Sequence, residues 1–152
     1  VSLIAIDPGR SVTIAIAGKP MGQPRQKQAV VNGRARNYLE STHPIHGFKW
    51  DIKRAWPSDQ MFDGPVRVSI IAIFARPKSA TTKRGPNLRY PCTKKPDWDN
   101  IAKSICDALN GVAYRDDAQV ADGRVERWIA AAGEEERTIV TVEAIEYAQE
   151  SP

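Results

Sequence analysis

The sequence predicts an α+β fold: a single small domain with a mixed β-sheet and two main helices. Three observations carry this. Residues 66–74 read as a long strand that is apolar on both faces. Residues 99–110 read as an amphipathic helix closed by Gly111. Strand-like alternation recurs at residues 12–17 and 138–146. The domain is expected over residues 12–147, with an extension at 1–11 and a tail at 148–152. A chain of 152 residues suffices for one ordinary core and not for two.

Composition narrows the function classes. With 41% hydrophobic and 26% charged residues, the chain is expected to be globular rather than disordered. No apolar run approaches the roughly 18 residues of a membrane span. Leu3–Ile6 is too short for a signal-peptide core, so the expected location is the cytoplasm, without a membrane partner. Cys92 and Cys106 lack zinc-ligand spacing and are expected to be reduced thiols. The net charge is +4, and the cations are segregated from the acids. Arg10, Lys19, Arg25, Lys27, Arg34 and Arg36 form one acid-free stretch. Arg76, Lys78, Lys83, Arg84, Arg89, Lys94 and Lys95 form another. Such segregation suits phosphate backbones.

The elements follow in order. Ile4-Ala5-Ile6-Asp7-Pro8-Gly9 resembles the first strand and aspartate of RNase H-like nucleases, over those residues alone. It is read as a turn or leader before the first strand. Val12, Ile14 and Ile16 then alternate with smaller residues as a strand, which Gly18 ends. Lys19 to Arg25 is a Pro/Gly-rich basic loop. Residues 26–47 are polar, and no element is expected there. His43 and His46 are separated by Pro44, which argues against a metal pair. Phe48, Ile52, Ala55 and Trp56 fall at helical spacing before Pro57. Val66 to Phe74 is the expected central strand, followed by a long basic loop over 77–95. Residues 120–130 read as a strand with an irregularity at Gly123. The last strand covers Thr138 to Glu146.

The chemistry concentrates between Pro96 and Gln119. Asp97 and Asp99 open the helix, with Asp99 the expected N-cap. Asp116 and Asp117 follow its return. The helix spans about 18 Å, and an extended segment from Gly111 to Asp117 would reach about 23 Å. Three or four carboxylates are therefore able to converge at the helix start. Such a hard oxygen set suits Mg²⁺ or Mn²⁺ and, on a basic protein, phosphodiester hydrolysis. Lys103 would offset charge on the phosphate. A plain structural reading is open as well. Asp97 or Asp99 would be a cap, Asp116-Asp117 a turn, and Lys103 an ion-pair partner of Asp99 and Asp107.

Lys95-Pro96-Asp97-Trp98-Asp99-Asn100-Ile101-Ala102-Lys103, Asp107-Ala108-Leu109-Asn110-Gly111 and Tyr114-Arg115-Asp116-Asp117-Ala118-Gln119-Val120 together resemble the signature of the RusA-type Holliday junction resolvases. Weaker agreement extends over residues 13–146. The resemblance implies a RusA-like α+β fold and a homodimeric endodeoxyribonuclease dependent on Mg²⁺ or Mn²⁺. It implies paired symmetric nicks across four-way DNA junctions, in DNA recombination and repair. The matching essential residues are Asp97, Asp99, Lys103 and Asp117, with Asp116 a further metal-site acid. Arg25, Lys83, Arg84, Arg89, Lys94 and Lys95 are the expected DNA contacts. A bacterial host, with a prophage as a frequent carrier, is the implied source. Alternatives are a nuclease for flaps or forks and a junction-binding protein without useful catalysis.

Overall fold

The computed structural model describes the backbone of residues 5–80 and 88–147, and side chains from residue 10 onward within those ranges. Its main sheet has the order β1-β7-β4-β6-β5. The strands are β1 (Ala5–Ala17), β4 (Val66–Phe74), β5 (Tyr90–Pro91), β6 (Val120–Ile129) and β7 (Arg137–Glu146). β4 lies at the centre, antiparallel to β7 and parallel to β6. A parallel pair needs a crossover, and α2 (Trp98–Leu109) supplies it. The sheet is therefore mixed, and the expected α+β class with two helices is observed.

Both helices contribute to one core. α1 (Ile45–Ala55) contacts β1 and α2, while α2 contacts β6. Ile14, Ile16, Val66, Val68, Ile70, Val140 and Val142 meet Ile45, Phe48, Ile52, Ile101, Ile105 and Leu109 there. The helical residues recur at three- and four-residue spacing, as an apolar stripe requires. Among the described residues, no helix is long and apolar enough to cross a membrane.

Several elements differ from expectation. β1 begins at Ala5 rather than near Val12, and its pairing shifts register between Ile6 and Ser11. Asp7-Pro8-Gly9 thus falls within the strand's irregular part. α1 starts three residues before Phe48, because Pro44 occupies its N-cap position instead of blocking it. Here His43 Nδ1 accepts from the Ile45 amide at 3.1 Å, and His46 Nε2 lies 3.0 Å from the Glu40 carbonyl. Both histidines organise the helix start. In β6 the register shift falls between Val120 and Asp122, before Gly123. The tail at 148–152 lies outside the described residues.

The largest addition is a separate hairpin, β2 (Lys27–Val31) and β3 (Arg34–Tyr38). Its turn is Asn32-Gly33, with φ of 53° and 74°. That left-handed pair makes a primed turn, which matches the twist of the flanking strands. Asn-Gly is the local signal from which this hairpin is predictable.

Candidate active site

α2 begins beside the end of β6. Arg127 Nη1 donates to the carbonyls of Lys94 at 2.8 Å and Pro96 at 3.0 Å. These bonds fix the strand of chain that delivers Asp97. Behind it, Gly22 packs so closely that a Cβ would stand 2.7 Å from Pro96 Cβ. The Gln23 amide donates to Asn100 O at 3.0 Å, and Ser104 Oγ donates to Met21 O at 2.6 Å. The helix start is thus held from two sides.

Asp97, not Asp99, is the N-cap of α2. Its backbone is extended, and its carbonyl accepts from the Ile101 amide at 3.1 Å. Its side chain makes no capping bond. Asp99 lies in the first turn, where the helix dipole favours an acid. Lys103 is one turn further on. Asp97, Asp99 and Lys103 are all exposed, and none has a side-chain hydrogen bond or ion pair among the described residues. The plain alternative, Lys103 paired with Asp99 and Asp107, is not formed among the described residues, and Asp107 instead faces Lys49 of α1 at 3.4 Å.

Asp116 and Asp117 stand elsewhere. Asp116 Oδ1 accepts from the Ala118 amide at 2.8 Å, which starts a single 3₁₀ turn, Asp117–Gln119. Gln119 clamps this turn. Its Oε1 accepts from the amides of Arg115 and Asp116 at 2.9 and 3.3 Å, and its Nε2 donates to Phe62 O and Gly64 O at 2.9 Å each. Asp116 is thus a cap whose bond positions Asp117, and Asp117 itself is exposed without a side-chain partner among the described residues.

The convergence expected of Asp117 with Asp97 and Asp99 is not formed within the chain. Among the described residues, no three His, Cys, Asp or Glu side chains are grouped to hold a metal ion. The cause is the return from α2. It is folded rather than extended: Gly111 N donates to Tyr114 O at 2.7 Å and Ala113 N to Leu109 O at 2.9 Å. Tyr114 is fully buried. Gln119 anchors Asp117 near the start of β4, whereas Arg127 anchors Asp97 from a position opposite Ala72. Those anchor points are about 20 Å apart along the strand.

Burial raises the pKa of two groups between these ends, and Asp117 and Asp107 add to it. Burial comes first in pushing the Cys106 thiol up, and the two carboxylates add to it against the hydrogen bond from Tyr114. Burial likewise pushes the Tyr114 phenol far up, with Cys106, Asp117 and Asp107 adding. Both groups stay protonated at neutral pH. Cys92 and Cys106 are free thiols.

The expected DNA contacts divide. Arg25, Lys94 and Lys95 are exposed and without side-chain partners among the described residues. Arg89 is committed to the protein: its Nε donates to both Glu134 oxygens at 2.9 Å. That chelated pair removes Arg89 from the set of free cations. Lys83 and Arg84 lie outside the described residues. Arg127, Gln119 and Gly22 support the site through backbone contacts that no sequence spacing reveals.

A family model described as endodeoxyribonuclease RusA matches residues 17–143. The chain belongs to the RusA endodeoxyribonuclease family. It is also 27% identical over 143 residues to "Uncharacterized protein YqaN" of Bacillus subtilis (strain 168), covering 88% of this chain and 96% of that protein. The mixed sheet and two helices agree with a RusA-like fold. RusA membership makes the chain an endodeoxyribonuclease by family, and DNA the substrate class. The acids suit the divalent ion general to this family. Mg²⁺ is commonly held by one or two carboxylates, with water and substrate phosphate completing its shell. Asp97 and Asp99, exposed and unpartnered at the helix start, are donors of that kind.

Proposed function

We propose that this chain is a Mg²⁺- or Mn²⁺-dependent endonuclease that resolves four-way DNA junctions by paired symmetric nicks, in recombination and repair. The observation that carries the reading is the state of Asp97, Asp99 and Lys103. Two carboxylates and an ammonium stand exposed and unpartnered on adjacent turns of α2, within the matched family region. Asp97 and Asp99 hold the metal, and Asp117 completes the acid set, positioned by Asp116. An ion held there would supply an activated water and charge stabilisation for the leaving oxygen. Lys103 offsets charge gathering on the phosphate. Arg25, Lys94 and Lys95 hold the DNA backbone. The products carry 5′-phosphate and 3′-hydroxyl ends.

The working unit is a homodimer, because a junction offers two equivalent strands and a two-fold axis gives each its own site. The axis also answers the separation of the acids. It sets Asp117 of one protomer against Asp97 and Asp99 of the other. A bacterial cytoplasm, with a prophage as carrier, is the proposed setting.

The test is cleavage mapping on a synthetic four-way junction. With Mg²⁺ the protein cuts opposite strands at symmetric positions and leaves linear duplex intact. Equal cutting of linear duplex sinks the resolvase reading, and equal cutting of flaps and forks reduces it to a general branched-DNA nuclease.

A further inference from the structure

β2 and β3 form a two-stranded sheet of their own, and every residue in them except the half-buried Ala29 is exposed. Hairpins of this kind are marginally stable alone and are normally retained by packing against something. The register shows what this one presents. Directly opposed residues share a face, and Lys27, Ala29 and Val31 oppose Tyr38, Arg36 and Arg34. The other face carries Gln28 and Val30 opposite Asn37 and Ala35. All the ribbon's cations therefore lie on one side, beside an exposed tyrosine, and no acid occurs between Lys27 and Tyr38. Lys27 is paired with Glu40. Arg34 and Arg36 have no side-chain partner among the described residues.

The ribbon is rooted at the active site. Its leading segment is the one whose Gly22 packs on Pro96 and Asn100, and whose Gln23 amide binds Asn100 O. Met21 O is held by Ser104, next to Lys103. The ribbon's base is therefore fixed to the first turns of α2. A two-stranded ribbon is also one of the shapes that the major groove, about 12 Å wide, admits.

We infer that the β2–β3 ribbon is a DNA-holding arm: its Arg34–Arg36 face lies on the phosphates of a duplex arm and sets that arm's position relative to the aspartates of α2. The role in positioning rests on the nuclease reading, whereas the phosphate contact requires only that the protein bind DNA.

The experiment measures junction affinity against salt in EDTA, where nothing is cut. For Arg34→Ala/Arg36→Ala, binding at 50 mM salt falls about tenfold or more, and the log–log salt slope becomes shallower by about 1.8. The thermal melt stays at the wild-type midpoint, because neither arginine belongs to the core. Arg34→Lys/Arg36→Lys restores the slope, and Gln28→Ala/Asn37→Ala on the neutral face leaves it unchanged. Unchanged affinity and slope in the double alanine variant overturn the inference. An equal loss in the Gln28/Asn37 variant also overturns it, since the effect would not belong to the charged face. A wild-type protein that binds junction but never cuts it with Mg²⁺ refutes the nuclease reading while the slope still decides the ribbon. One that binds no DNA overturns both.

Discussion

Arg127 donates from Nη1 to the carbonyl oxygen of Pro96 at 3.0 Å, one residue before Asp97. The same nitrogen reaches Lys94 O at 2.8 Å. The strand β6, beside the central β4, thereby governs the position of a carboxylate at the surface. Arg127→Ala leaves two carbonyls without this donor. It is expected to cost about 1–3 kcal/mol in stability. The cleavage rate should fall beyond what the lost folded fraction explains. Denaturant unfolding and single-turnover cleavage, compared on one preparation, check both.

Gln119→Ala removes the clamp that holds the turn before β6. Four hydrogen bonds to Arg115, Asp116, Phe62 and Gly64 are lost. Cleavage is expected to drop at least tenfold with junction affinity nearly unchanged, because Asp117 is misplaced and no cation is removed. A change confined to affinity would show that the clamp does not serve Asp117.

Gly22→Ala introduces a Cβ 2.7 Å from Pro96 Cβ. The contact is between two fixed groups near the backbone, so one chain must move. The expected cost is about 1–3 kcal/mol, with slower cleavage because Pro96 leads into Asp97. A thermal melt at the wild-type midpoint would contradict it.

Asp99→Asn and Asp117→Asn are each expected to abolish cleavage and preserve junction binding. Refolded together, they should regain nicking. The mixed dimer contains one site with both substitutions and one with neither, if each site draws Asp117 from the other protomer. That site nicks a single strand. Nicking no faster than in either variant alone would refute the shared site.

Glu134 makes part of the fold's stability acid-sensitive. Arg89 foremost, then the Ala131 amide and Arg137, hold its carboxyl down at about 2, against an ordinary 4.5. A depressed carboxylate contributes stability that is fully present above about pH 4.5 and lost as pH falls toward 2. Glu134→Gln should lower the melting temperature at pH 7, and the difference from wild type should vanish near pH 2. A constant difference over that window would show that the charge is not responsible.

Much of the fold was legible because it depends on local period. Ile14 and Ile16, Val66 to Phe74, Val140 and Val142 announce their strands by alternation or continuous apolarity. Ile101, Ile105 and Leu109 announce α2 by helical spacing. β5 is too short to carry a period, and the start of α1 is hidden in the sequence because Pro44 reads as a breaker when it is an N-cap. The family is legible from the motif, but the arrangement of its acids is not. Asp117 depends on whether Gly111 to Asp116 runs straight or folds, and the burial of Tyr114 decides that. Arg89 looked like any loop cation, because its partner Glu134 is remote in sequence.

The pairing of β1 with β7 ties the closure of the main sheet to the two ends of the domain. Val12 to Ala17 align with residues 142 to 137, so the first strand finds its neighbour only when the last has been made. Contacts this distant in sequence form slowly. α2 and its aspartates leave the ribosome well before that, yet the sheet beneath them is still open. The sheet that carries α2 is therefore closed only once both ends of the domain are present.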